Sequence, residues 1–253
     1  MPDATDIQVV RSEKLSAFRA VVCGCSVRLG GVSRPPLGMN LSFNVGDVRD
    51  NVIENRKRFF GTLGLKSAGV AFTRQCHSAT VKTVVLPGEY DACDGLITST
   101  SNLPLAISVA DCLPVLLFDP DRHVIAAVHA GWRGSASHII KQAVKKLQAE
   151  FHSASASLIA FLGPAAGACC YEVGQEVADR FDADVLAIRF GRIFLDLKKE
   201  NARQLLDLGV DEKNIETSQF CTICTPSLFH SYRRDGKQSG RMMGVICLID
   251  EEN

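Results

Sequence analysis

Net charge is the first thing this 253-residue chain does without: its 28 basic and 28 acidic residues cancel. That balance excludes nucleic acid or an anionic membrane as an electrostatically captured partner. Long apolar runs are missing too. None reaches the roughly 18 residues of a membrane span. The opening stretch MPDATDIQVVRSEKL has no apolar core, so no signal peptide is predicted and the expected compartment is cytoplasmic. No repeat, low-complexity tract or polar linker divides the chain, and residues 1–253 read as one domain. Histidine is sparse, with six residues and no His-x-His pair. A trinuclear copper cluster fed by imidazoles therefore has too few ligands. The H-x-E with P-C-x-x-C pattern of nucleobase deaminases is also missing.

Cysteine, by contrast, is abundant, at ten residues. Without a secretory segment these read as thiols rather than a disulfide framework, most of them small buried hydrophobes. Cys221-Thr-Ile-Cys224 has metal-knuckle or redox spacing, with Cys23-Gly-Cys25 as a conceivable second half, whereas Cys169-Cys170 carries no clear message.

Strands are predicted at 18–27, 69–75, 80–86, 105–109, 115–118, 124–128, 157–163 and 242–249. Helices are predicted at 50–64, 135–151 (with Ser135 as N-cap), 174–181 and 195–209. Residues 28–47, rich in Gly, Pro, Asn and Ser, read as a long loop of the kind that serves function. Strands come in clusters with helices between them, which favours an α/β or α+β layered sandwich with mixed sheets.

Chemistry concentrates at strand ends. Cys112 lies just past one apolar run, His129 closes another, and His77 sits between two more. Each has a plainer role as a core thiol or a structural imidazole. Together they form a borderline-soft set that suits Zn²⁺ and leaves a fourth tetrahedral position open. Gly131-Trp-Arg-Gly134 then leads towards a helix, whose N-terminus and Arg133 would favour an anion. The plainer reading is a glycine turn with Trp132 in the core.

These stretches resemble the YfiH-type family, long labelled laccase-domain or multicopper polyphenol oxidase proteins. The resemblance rests on Arg28 to Ser33 (RLGGVS), Ser42 to Gly46 (SFNVG), Glu54-Asn-Arg56, Gln75-Cys-His77 and Asp91 to Ile97 (DACDGLI). Further on it rests on Ala110-Asp-Cys-Leu-Pro114, Val128 to Gly134 (VHAGWRG), Gly163-Pro164, Cys170 to Val173, Cys221-Thr222, Ser231 to Gly236 (SYRRDG) and Gly240-Arg241. It implies a four-layer α-β-β-α sandwich similar to the catalytic domain of cytotoxic necrotising factor toxins. It also implies zinc on His77, Cys112 and His129. The implied activity is purine nucleoside phosphorolysis of adenosine, inosine, guanosine and methylthioadenosine, with adenosine deamination. Arg28 and Asn44 would border the pocket, and with Arg133 they are the expected substrate or phosphate contacts. The resemblance leaves Arg56, Glu172 and Arg241 without an assigned role. The family has an apolar residue where this chain has Cys76.

Purine nucleosides and phosphate are thus the expected partners, with no nucleic acid or membrane, for a monomer or weak homo-oligomer. Copper could occupy such a site in vitro, as the polyphenol oxidase label suggests. The rival reading is a cysteine hydrolase, or an amidase editing cell-wall peptide precursors, with Cys112 as nucleophile and His129 as base. A structural zinc would want four protein ligands, and no fourth is evident beside these three.

Overall fold

The computed structural model describes residues 7–250. Two six-stranded mixed sheets form the centre. The first runs Val9–Val10, Val21–Ser26, Met242–Leu248, Leu105–Val109, Ala71–Arg74, Gly88–Asp91. The second runs Ile215–Thr217, Ile159–Leu162, Leu113–Asp119, Val124–Ala130, Gly95–Thr98, Val81–Thr83. A small third sheet joins Glu172–Val173, Arg192–Leu195 and Leu186–Arg189.

Period-two alternation explains how the sheets pack. On Leu113–Asp119, Leu116 and Phe118 join Cys23, Leu105, Ile107 and Ile246 of the other sheet. Val115 and Leu117 point the opposite way, onto Ile140, Val144 and Leu147 of the helix Ile139–Phe151. The helix Leu197–Asp207 adds Leu205 to that same cluster. The helix Arg49–Thr62 lays Phe59 and Phe60 against Met243 and Val245 of the first sheet. It ends as expected near Gly64, whose φ of 73° only glycine takes freely.

The single helix expected over 135–151 is two. Trp132–Ala136 and Ile139–Phe151 are separated at His138, which takes a left-handed φ of 56°. Ser135 is not an N-cap. It is buried inside the first piece, where it pairs with Asn201. His138 is exposed, at a break rather than within a helix. Cys23 and Cys25 lie in the intersheet core, so they are not the partner of the Cys221–Cys224 knuckle. Among the described residues no helix is long and apolar enough to cross a membrane.

The 28–47 segment is a loop, and Asn55 organises it. Asn55 is fully buried, and its Nδ2 reaches Ser33 Oγ (3.0 Å) and the carbonyls of Gly38 (3.0 Å) and Asn40 (2.9 Å). Its Oδ1 accepts from the Val32 N–H at 2.7 Å. A helix side chain thereby supplies partners that an irregular backbone cannot find in itself.

Candidate metal centre

The hairpin Leu113–Asp119/Val124–Ala130 pairs Leu113 with Ala130 and Pro114 with His129. Continued by one residue, that register sets Cys112 beside Gly131. Alternation turns His129 to the intersheet side, with Ile125 and Ala127. His77 arrives from the first sheet, three residues after Ala71–Arg74 ends. The donor atoms of His77, Cys112 and His129 all lie within 4.8 Å of one another. The two imidazoles meet edge to face, with centroids 5.0 Å apart.

Asp94 holds this set. It is fully buried just before the strand Gly95–Thr98, which pairs with the His129 strand. Its Oδ1 lies 2.8 Å from His129 Nδ1 and accepts from the His77 N–H at 3.0 Å. Its Oδ2 accepts from the Ser78 N–H (2.7 Å), Ser78 Oγ (2.9 Å) and the Cys76 N–H (3.2 Å). Burial works against the charged form. The hydrogen bonds from His129 and Ser78 outweigh it and hold the carboxyl well below the usual carboxylate range. An ionised Asp94 requires the proton on Nδ1, so Nε2 is the nitrogen of His129 that a metal would take, displacing any proton there. Carboxylate–imidazole pairs of this kind orient metal-binding histidines. The backbone bonds also hold His77 at a left-handed φ of 60°, unusual for a non-glycine residue.

Asp111, the residue before Cys112, is itself firmly anchored. Its φ is 81°, and its carboxylate accepts from Thr222 Oγ1 (2.7 Å), Ser231 Oγ (3.0 Å) and the Arg233 N–H (2.7 Å). Burial disfavours a Cys112 thiolate, yet the imidazoles of His129 and His77 outweigh it and bring the thiol down to about 6. Burial likewise disfavours a charged His129, while Cys112 and Asp94 outweigh it and raise the imidazole to about 9.

Gly131 completes the cradle. A Cβ there would stand 2.9 Å from Cys112 Sγ and 3.3 Å from His77 Cδ2. Two imidazoles and a thiolate, converging where no side chain intrudes, fit a tetrahedral Zn²⁺ with one position open. Of the six histidines only His77 and His129 belong to such a group among the described residues, so the donor set does not match a multi-copper cluster.

The triad opens into a cavity of about 830 Å³. Asn44 lines it, as do Arg56, Arg241, Phe43, Phe72 and Tyr232. The Arg56 guanidinium lies 4.3 Å from the Phe43 centroid and 4.6 Å from that of Phe72. Burial lowers its pKa to about 10. The cavity's opening follows from a sheet that parts. Ala71–Arg74 pairs with Leu105–Val109 only at Ala71 and Phe72. The Gln75 side chain then spans the gap, donating to the Ser108 carbonyl (2.9 Å) and accepting from its N–H (2.8 Å).

Two expected contacts lie elsewhere. Arg28 donates to the carbonyls of Pro226 (2.9 Å) and Pro36 (2.8 Å), tying loops together without lining the cavity. Arg133 is exposed, stacks 4.3 Å over Trp132 and does not line the cavity. Glu172 pairs with Arg192 away from the cavity. Sequence reasoning missed Asp94 and Asp111 as supports, although both stand in the quoted motifs. The available signal was a buried-type carboxylate beside an apolar strand, which needs partners to be tolerated.

The chain resembles curated proteins and solved structures along nearly its whole length. It is 38% identical over 241 residues to the purine nucleoside phosphorylase YfiH of Escherichia coli, covering 91% of this chain and 95% of that protein. It is 34% identical over 253 residues to the purine nucleoside phosphorylase YlmD of Geobacillus stearothermophilus, covering 92% of each. The crystal structure of YlmD from that organism superimposes with a TM-score of 0.89 at 31% identity, covering 98% of this chain and all of the other. That of the Bacillus licheniformis hypothetical protein YfiH superimposes with a TM-score of 0.88 at 33% identity, covering 97% of both. The family model described as multi-copper polyphenol oxidoreductase laccase matches residues 22–249, and the chain belongs to that family.

Proposed function

We propose that the chain is a cytoplasmic, zinc-dependent purine nucleoside phosphorylase that also deaminates adenosine. The carrying observation is the convergence of His77, Cys112 and His129 at a cavity that also presents Arg56 and Arg241. The names of the relatives point to phosphorolysis. A volume of about 830 Å³ has room for a nucleoside and a phosphate together. The same proposal takes the architecture as a four-layer α-β-β-α sandwich. In support, one apolar cluster joins the two large sheets and each outer face carries a helix.

In this reading His77, Cys112 and His129 hold zinc, which supplies a Lewis-acidic pole to offset the charge of bound phosphate. Arg56 and Arg241 take the remaining phosphate charge, in the role once expected of Arg133. Both are partly withdrawn from water, where a guanidinium–phosphate pair is stronger than in bulk solvent. Phe43 and Phe72 offer faces to the purine, and Asn44 a polar contact. A phosphate oxygen attacks C1′ of the ribose and the bond from C1′ to the purine nitrogen breaks. Its electron pair leaves with the base, which takes a proton, giving free purine and ribose 1-phosphate. Positioning and fixed charge supply most of the rate. Deamination in the same pocket exchanges the 6-amino group of adenosine for oxygen from water and releases ammonia.

A second reading rests on one observation. Cys112, His129 and Asp94 form a thiol–imidazole–carboxylate relay, the arrangement of a cysteine hydrolase. The test separates the two. Zinc-loaded protein is incubated with inosine or adenosine, with and without phosphate, and products are resolved by chromatography. The proposal expects phosphate-dependent hypoxanthine or adenine, a loss of activity on chelation, and protection of Cys112 from iodoacetamide by zinc. Phosphate-independent or absent turnover, with Cys112 alkylated equally fast with or without zinc, overturns it in favour of the hydrolase.

A further inference from the structure

We propose that Cys169, Cys170, Cys221 and Cys224 form a second metal site, a four-thiolate zinc centre that clamps together the two loops supporting Asp111. The cysteines come from segments about fifty residues apart in sequence, yet their four sulfurs all lie within 4.8 Å of one another. Cys169 Sγ and Cys224 Sγ are 3.8 Å apart. A tetrahedral zinc with Zn–S bonds of about 2.3 Å sets its sulfurs about 3.8 Å apart. One sulfur pair thus already stands at the edge length of a four-sulfur shell, and no pair is more than 4.8 Å apart.

The backbone around it is built for the purpose. Ala165 and Cys221 form an isolated parallel bridge, and the Thr222 N–H donates to the Ala165 carbonyl at 3.0 Å. The Gly167 N–H donates to Cys221 Sγ at 3.3 Å, the kind of bond that stabilises a metal-bound thiolate. Gly167 lies directly against the sulfurs: a Cβ there would touch Cys221 Cβ at 3.3 Å and Cys169 Sγ at 3.4 Å. Four thiolates around Zn²⁺ carry two net negative charges, and a cation stands ready. The Lys198 ammonium donates to the carbonyls of Ser218 (2.7 Å) and Phe220 (2.9 Å), close enough to Cys221, Cys169 and Cys224 to feel their charge. Cys169 and Cys224 are exposed and Cys221 is buried, so the ion has a path in and a fixed floor.

The consequence for the first site is direct. The Ala166 N–H donates to the Asp111 carbonyl at 2.9 Å, and Thr222 Oγ1 donates to its carboxylate. Both loops joined by the clamp thus grip the residue before Cys112. No nucleoside is needed to test this, so its failure is distinct from failure of the proposed activity.

The full chain is purified reduced and without oxygen from zinc-supplemented cells, and zinc per chain is measured by plasma mass spectrometry. Two zinc are expected in the native chain, one in Cys112→Ala, one in the double variant Cys169→Ser/Cys224→Ser, and none in the triple variant. Cobalt exchanged into Cys112→Ala should show the thiolate charge-transfer and ligand-field bands of a tetrahedral four-sulfur centre. If the serine variants do not fold by circular dichroism, that cobalt spectrum decides alone. Cys112→Ala with no bound zinc and no such spectrum overturns the proposal. So does a native chain whose intact mass shows these thiols joined as disulfides despite the reducing preparation.

Discussion

Replacing Asp94 by asparagine removes one charge and keeps the shape. The carboxylate serves six donors: His129 Nδ1 and the His77 N–H on Oδ1, and the Ser78 N–H, Ser78 Oγ, Cys76 N–H and Cys76 Sγ on Oδ2. An amide whose oxygen faces Ser78 keeps one side and turns its own N–H groups on two donors. Hydrogen bonds to a charged group contribute about 1.5–3 kcal/mol each. Losing two costs about 3–6 kcal/mol, a large share of the roughly 5–15 kcal/mol that holds a domain together. The metal should also suffer, because His129 Nδ1–H loses the partner that fixes its tautomer and ring angle. A carboxylate behind a histidine ligand is typically worth about 10–100-fold in affinity. Urea unfolding of chelator-treated protein reads the first effect, and zinc competition against a fluorescent chelator reads the second. An Asp94→Asn chain that unfolds within about 1 kcal/mol of the native one and binds zinc equally tightly would refute the argument, and with it the role given to Asp94.

Gly131→Ala should cost zinc affinity at least tenfold with little change in far-ultraviolet circular dichroism. The backbone there, at φ −74°, accepts alanine, and the strain falls on Cys112 Sγ and, less, on His77 Cδ2; unchanged metal binding would contradict the cradle. His230 is buried, has no hydrogen-bond partner at either ring nitrogen among the described residues, and is pushed down by burial to about 4. Its unfolded counterpart takes up a proton near 6.5, so stability falls as pH drops from 6.5 towards 4, by about 3 kcal/mol from this residue alone. His230→Leu should lose that part of the slope in urea midpoints measured across the window, and a parallel pH profile would count against it.

What could be read along the chain came from period and residue type. The runs 105–109 and 124–128 are strands because β-branched and apolar residues bounded by turn residues leave few alternatives. His77, Cys112 and His129 stood out because strand ends collect polar groups that the core cannot hold. What stayed hidden was set by tertiary pairing. The break at His138 depends on a left-handed residue between two apolar stretches that share one helical period. The sheet of Glu172–Val173, Leu186–Arg189 and Arg192–Leu195 uses strands of two to four residues, too short to show alternation. For Asp94 the only local cue was a carboxylate beside an apolar strand; its partners, at 76–78 and at 129, lie too far along the chain to be read from it. Cys221 and Cys224 found their neighbours at 169 and 170 rather than at 23 and 25 because a bridge from Ala165 to Cys221 brings those loops together.

The hairpin that carries Cys112 and His129 is apolar on both faces. Hydrophobic pattern therefore says little about its register, since a one-residue slip exchanges one greasy face for another. The turn must carry that information. There the Asp119 carboxylate accepts from the N–H groups of Asp121 (2.9 Å) and Arg122 (3.2 Å), closing the connection at one length. Six residues of strand, about 20 Å, separate that carboxylate from Cys112 and His129. The candidate site is thus gauged from afar, and a lesion in an unremarkable turn would be felt as donor side chains that no longer meet.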